Sequence, residues 1–287
     1  DYKWVLKWAP IFYWLNVVAL GLVLVVGRRF YGSRRWLGIG SFNFQPSETM
    51  KIFLILFLGA YLARHKLENL GFKDLIRPGV IIAIPFLLTF KQTDLGTSLI
   101  FVAISLSLIL FIKGRKKVIF SLLALTMVAA PPFWMYLMSE YQKDRVRSFF
   151  SPNEDPKGSG YNGIQAKIAI GSGQLLGRGF QRGSQNQLQF LPERHSDFIF
   201  CVLSEEYGFI GGMFTLAFFL ILLFFILTIA KEAGDRGGCL ICVGFAAFMF
   251  WHLVINIGMV TGLLPIVGVP LPCLLYTSPS PRDPSIS

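Results

Sequence analysis

Seven apolar runs govern what this chain can become: about residues 8–27, 46–63, 78–90, 95–112, 118–138, 198–230 and 239–264. A bilayer's hydrocarbon core is about 30 Å thick, and roughly 20 helical residues cross it. Backbone polar groups find no partner in lipid, so such runs must close their hydrogen bonds within helices. The expected fold class is all-α, a polytopic membrane helical bundle. The 78–90 run is short for a span, and the 198–230 run is long enough to tilt or to project from the bilayer. Between 138 and 198 lies one long polar block, 139–197, rich in Gly and in charge of both signs.

Of the 287 residues, 54% are apolar and 15% charged. Soluble domains carry roughly 25% charged residues, so a soluble enzyme is excluded. The net charge of +11 suggests a nucleic-acid partner only until the basic residues are located. They cluster in short loops between spans, as the positive-inside rule and attraction to anionic lipid require. Loops 64–77, 113–117 and 231–236, with Lys3 and Lys7, share one face, which is therefore cytoplasmic. The block 139–197 then becomes one large extracytoplasmic loop. Arg28, Arg29, Arg34 and Arg35 fall on that same outer face, against the rule. An anionic ligand such as a diphosphate would account for them, because guanidinium forks match phosphate oxygens. Pairing with lipid headgroups or with acids of the long loop would serve as well.

Other features carry less. Cys239-x-x-Cys242 has the spacing of a redox or zinc pair, but no second pair accompanies it. Cys201 and Cys273 give no framework either, and packing in the membrane is the favoured reading of the thiols. Gly171-Ser172-Gly173 and Gly177-Arg178-Gly179 follow no strand and precede no Lys-Ser/Thr, so the phosphate-loop readings fail. They fit better as the turn after a re-entrant or interfacial helix over 164–170. Asp1-Tyr2-Lys3 enters a span with no initiator Met. The string Cys273-Leu274-Leu275-Tyr276-Thr277-Ser278-Pro279 resembles a translated sequencing adapter. Residues 273–287 are thus expected to be non-native, and the chain to be a fragment lacking spans at both ends.

The chemistry gathers where the polar block re-enters lipid, at Pro192-Glu193-Arg194-His195-Ser196-Asp197-Phe198. Charge at that boundary is costly unless it faces protein or a water-filled cavity, which makes it a functional-site candidate. Asp197 is the first candidate for a general base. It or Ser196 could instead cap the following helix, and Ser196 could cap while Asp197 faces a cavity. Glu193 is the reserve base, and His195 could shuttle a proton or hydrogen-bond the acid. Glu48 and Lys51 share a helical face at i, i+3, as an intramembrane ion pair or as support for catalysis. Asp94 with Gln92, and the buried-looking Glu205-Glu206, read as structural. His252 and Asn256, at i, i+4, read as interhelical hydrogen-bonding residues.

Several strings, in this order, carry a resemblance. They are Arg34-Arg35-Trp36, Phe44-Gln45-Pro46-Ser47-Glu48-Thr49-Met50-Lys51, Gln92-Thr93-Asp94-Leu95-Gly96-Thr97 and Tyr141-Gln142-Lys143-Asp144-Arg145. The stretch Lys167-Ile168-Ala169-Ile170-Gly171-Ser172-Gly173, the segment Pro192 to Phe200, and Asn256-Ile257-Gly258-Met259-Val260-Thr261-Gly262 complete them. Over residues 1–272 the sequence resembles the SEDS family (shape, elongation, division and sporulation). Tyr141-Gln142 with Arg145, and Arg194 within Pro-Glu-Arg-His, favour its elongation branch over its division branch. Thr93 stands where the family usually has Pro, and a family Ser-Tyr-Gly-Gly-Ser string is absent after Pro272.

The resemblance implies a SEDS-fold peptidoglycan glycosyltransferase in the bacterial cytoplasmic (inner) membrane, polymerising lipid II on the extracytoplasmic side. It implies that Asp197 is the essential acid, with Glu48 supporting it. Arg145, Arg35, Arg194, Lys51 and His195 would bind the diphosphate. It implies a class B penicillin-binding protein, a transpeptidase, as partner. No cofactor is named, and assistance by a divalent cation is left open. The alternatives are a lipid II flippase or a scaffold of the cell-wall elongation machinery.

Overall fold

Local signals set the starts of the helices. Pro46 opens one at the first helical position, where its missing N–H costs nothing, and Glu48 follows in the positive first turn. Asp94 caps another: its side chain accepts from the Thr97 amide at 3.3 Å and the Thr97 hydroxyl at 3.0 Å. Asp235 caps a third, accepting from the amides of Gly237 at 3.0 Å and Gly238 at 3.2 Å. The Tyr2 hydroxyl, and then the Gly238 amide, hold the Asp235 carboxyl below the ordinary carboxylate range.

The computed structural model describes residues 2–30, 33–39, 42–64, 76–112, 135, 138–151, 159–180, 182–183 and 197–272. Among them the order is α1 (Tyr2–Val26), β1 (Arg28–Phe30), β2 (Ser33–Ile39), β3 (Phe42–Phe44), α2 (Pro46–Arg64), α3 (Ile76–Lys91) and α4 (Leu95–Phe111). Then come α5 (Glu140–Phe150), α6 (Ser159–Ser172), α7 (Ile199–Glu232) and α8 (Arg236–Thr261). The fold is mostly helical. Helices α1, α2, α7 and α8 are long and apolar enough to cross a membrane, and α4 is a shorter apolar helix. This is a membrane protein. The span expected at 118–138 lies almost wholly outside the described residues, as does the tail 273–287.

Two expectations change. The basic, aromatic stretch 28–45, which reads as a loop between the first two apolar runs, contains a small antiparallel sheet in the order β1-β2-β3. Arg28 pairs with Trp36, and Leu37 with Phe44. The paired runs Leu37-Gly38-Ile39 and Phe42-Asn43-Phe44 each carry the period-2 pattern of a strand. The polar block 139–197 contains α5 and α6. The helix expected over 164–170 is longer, at Ser159–Ser172.

The chain divides into two compact units. The first comprises Asp1–Gln142 with Leu223–Trp251. Its core joins Tyr13 and Leu20 of α1, Met50 and Leu54 of α2, and Phe101 of α4. Polar ties cross this apolar interior. The Tyr13 hydroxyl donates to the Ile81 carbonyl at 2.7 Å, Asn16 to the Pro46 carbonyl at 3.0 Å, and Gln92 to the Leu20 carbonyl at 2.9 Å. Such bonds hold helices together where lipid offers no hydrophobic drive. Arg35 of β2 donates to the Thr93 carbonyl at 2.8 Å and lies 3.6 Å from Asp94, fixing the sheet to the turn before α4. Asp94→Ala removes a cap worth about 1 kcal/mol and strands a largely buried guanidinium, so a total loss of roughly 2–4 kcal/mol is expected. Thermal unfolding in detergent measures it.

The second unit comprises Lys143–Leu222 with His252–Ser287. Here α7 is broken at Gly208, whose φ of 66° and ψ of −161° no L side chain adopts comfortably. The break frees backbone groups, and the segment after α6 satisfies them. The amides of Arg178 and Gly179 donate to the carbonyls of Glu205 and Glu206, each at 3.0 Å. In return, the amides of Phe209 and Ile210 donate to Gln174 and Leu175 at 2.8 and 3.2 Å. The approach is too close for a Cβ at Gly177, which would overlap the Glu206 carbonyl. Gly173 and Gly177 therefore serve a main-chain contact, since a Cβ at either would overlap the carbonyl of Ser204 or Glu206.

Candidate active site

Asp197 sits in the turn just before α7, half-buried. The last residue before the helix is Phe198, whose carbonyl accepts from the Cys201 amide at 3.0 Å. Asp197 therefore lies one residue ahead of the cap position. Its own backbone carbonyl accepts from the Asn256 amide at 2.9 Å. Its carboxylate lies against Gly268, where an added Cβ would stand 3.2 Å from Oδ2.

In the same unit an open cleft of about 380 Å³ is lined by α5, α6 and the end of α8. Two cations line it, Arg145 of α5 and Lys167 of α6. Arg145 is steadied by a 3.3 Å bond to the Ile266 carbonyl. The Lys167 stem crosses Gly262, just past the last turn of α8. That position also suits the negative end of a helix dipole. Residues 259–269 thus touch both features: Met259, Gly262 and Leu264 to Ile266 line the cleft, and Gly268 meets the Asp197 carboxylate. Two cations facing one cleft supply the charge that a phosphate-bearing group requires.

The first unit holds Glu48 and Lys51. Lys51 Nζ is 2.8 Å from Glu48 Oε2, and the lysine side chain is only 1% exposed against 43% for the glutamate. The ammonium also stands 5.8 Å from the centre of the Phe248 ring. These contacts are those of an i, i+3 ion pair on α2. Arg35 is engaged with Thr93 and Asp94, as described above. Glu193, Arg194 and His195 lie outside the described residues.

Sequence reasoning missed Lys167 and the part played by Asn256. A lysine in a polar helix gives no signal until α6 is packed beside α8. Asn256 was read as an interhelical hydrogen-bonding residue, yet its partners are two backbone carbonyls outside any helix, those of Asp197 and Val269.

Comparison with known proteins bears on this arrangement. A family model described as "Cell cycle protein", covering FtsW, RodA and SpoVE, matches residues 1–280. The peptidoglycan glycosyltransferase MrdB of Escherichia coli K12 is 42% identical over 275 residues, covering 94% of this chain and 72% of MrdB. Stage V sporulation protein E of Bacillus subtilis is 38% identical over 280 residues, covering 96% of this chain and 75% of that protein. A chain from a solved peptidoglycan synthase complex superposes with a TM-score of 0.78 at 28% identity, over 95% of this chain and 76% of its own length. Thermus thermophilus RodA shares the fold at a TM-score of 0.66 and 24% identity, over 95% and 72% of the two chains. With a family model spanning nearly all of it and relatives well above 30% identity, the chain belongs to the FtsW, RodA and SpoVE family of cell cycle proteins, the SEDS family.

Proposed function

We propose that this chain is the membrane-embedded body of a RodA-type peptidoglycan glycosyltransferase, polymerising lipid II into glycan strands for elongation and rod shape. The acceptor's sugar hydroxyl attacks the donor's anomeric carbon. Its proton passes to the Asp197 carboxylate, and the bond to oxygen of the polyprenyl diphosphate breaks with the electron pair leaving on the diphosphate. General-base assistance is typically worth about 10²–10⁴-fold. Cations held in place for the departing charge add about 10²–10³-fold.

The observation that carries this reading lies within the second unit: an acid before α7 and a doubly cationic cleft are served by the same 256–269 stretch. Arg145 is the first diphosphate contact and Lys167 an addition to it. Arg194 and His195 keep their proposed roles beside Asp197, and Glu193 remains the reserve base. Glu48 supports the site indirectly through its pair with Lys51, and Arg35 through the turn at Asp94. The reaction takes place on the extracytoplasmic side of the cytoplasmic membrane. A class B penicillin-binding transpeptidase is the proposed partner, by analogy with the solved complex that coordinates polymerization and crosslinking.

The test is strand synthesis by the purified full-length protein from labelled lipid II. Arg145→Ala is expected to lower kcat/KM about 10²-fold, read by gel separation of the labelled strands. Unchanged synthesis would remove Arg145 from the site. Translocation of labelled lipid II in vesicles without any polymer would favour the flippase reading.

A further inference from the structure

Asn256 is fully buried on α8 and spends both amide protons on backbone carbonyls, that of Asp197 at 2.9 Å and that of Val269 at 2.7 Å. Its Oδ1 is also buried and has no hydrogen-bond partner among the described residues. The two bonds tie the chain entering α7 to the segment leaving α8. Between those anchors lies the Asp197 carboxylate, whose Oδ2 faces the Cα of Gly268. Gly268 has a φ of +72°, and an added Cβ would stand 3.2 Å from that oxygen. The acid is therefore confined on two sides, by a clamp on its own carbonyl and by a bare glycine opposite its side chain.

We infer that Asn256 is a positioning residue for Asp197, fixing the carboxylate where the acceptor hydroxyl must meet it. The inference rests on Asp197 being the general base. Asn256 touches no reacting atom; it acts through the backbone of the residue that does. A base displaced by about 1 Å can lose about 10²-fold in rate, while binding of the lipid donor, made elsewhere, stays as it was.

The experiment compares Asn256→Ala, Asn256→Asp and Gly268→Ala with the parent and with Asp197→Asn. The full-length enzyme and labelled lipid II are used, with rates expressed per folded molecule from size-exclusion chromatography. Asn256→Asp keeps the shape and, when ionised, lacks both donors. Gly268→Ala presses on the carboxylate from the opposite side. All three are expected to lower kcat about 10- to 100-fold with KM for lipid II within about twofold of the parent. Losses confined to folded yield, with kcat per folded molecule unchanged, overturn the positioning role. So does a raised KM at unchanged kcat. If Asp197→Asn itself keeps full activity, the general-base assignment fails instead, whatever the Asn256 variants do.

Discussion

Asp197→Asn in the full-length enzyme is expected to slow glycan-strand synthesis by about 10²–10⁴-fold, the usual worth of general-base assistance. The substitution is chosen because it separates chemistry from structure. Asn is nearly isosteric with Asp and caps a helix about as well. The Asp197 carbonyl held by Asn256 is also unaltered by the exchange. A side chain that merely started α7 would thus tolerate the change. A side chain that takes a proton would not, because an amide is no base. Gel analysis of strands made from labelled lipid II measures the rate, and size-exclusion chromatography shows that the variant is folded. Strands made at the parent rate would refute the assignment and return Glu193 to first place.

Glu48→Ala carries the largest expected cost in stability. Lys51 is 1% exposed, and its ammonium lies 2.8 Å from the Glu48 carboxylate. Removing one partner of a fully buried pair costs about 3–5 kcal/mol. The Glu48 side chain is 43% exposed, so water already screens part of the attraction. A loss of about 2–3 kcal/mol is therefore expected. Glu48→Gln combined with Lys51→Met should regain most of that loss, since a neutral amide suits the half-exposed position 48 and an apolar side chain of similar volume suits the buried position 51. Thermal midpoints in detergent give the comparison. A double variant no more stable than the single one would contradict the pairing account. Strand synthesis by the stable double variant then separates two roles. Activity that returns with stability assigns the pair to packing, and a stable, inactive protein assigns it to support of the reaction.

How far the sequence could be read varied with the range of the forces involved. Helices α1, α2, α7 and α8 were legible because a continuous apolar run in lipid leaves the backbone few alternatives. The sheet at 28–44 was not, because strands of three, seven and three residues are too short for a period-2 pattern to stand out among the arginines. The break at Gly208 depends on amides and carbonyls of residues 174–179, about thirty positions earlier, and an isolated glycine in an apolar run does not announce such a partner. Within the site, Asp197 stood out as an acid at the edge of a span. Asn256 did not, because its partners are carbonyls that every residue possesses. Lys167 became visible only when its helix lay beside the end of α8.

The interruption at Gly208 also settles a matter of length. As one rod, the 34 residues of α7 would extend about 51 Å, far more than a bilayer core of about 30 Å requires. From Phe209 onward, roughly 24 residues remain, or about 36 Å, a fit to that thickness with modest tilt. Glu205 and Glu206 precede this portion, with their carbonyls engaged by Arg178 and Gly179. One continuous apolar stretch thereby yields a lipid-crossing rod and a short acidic headpiece, and neither glutamate has to dissolve in hydrocarbon.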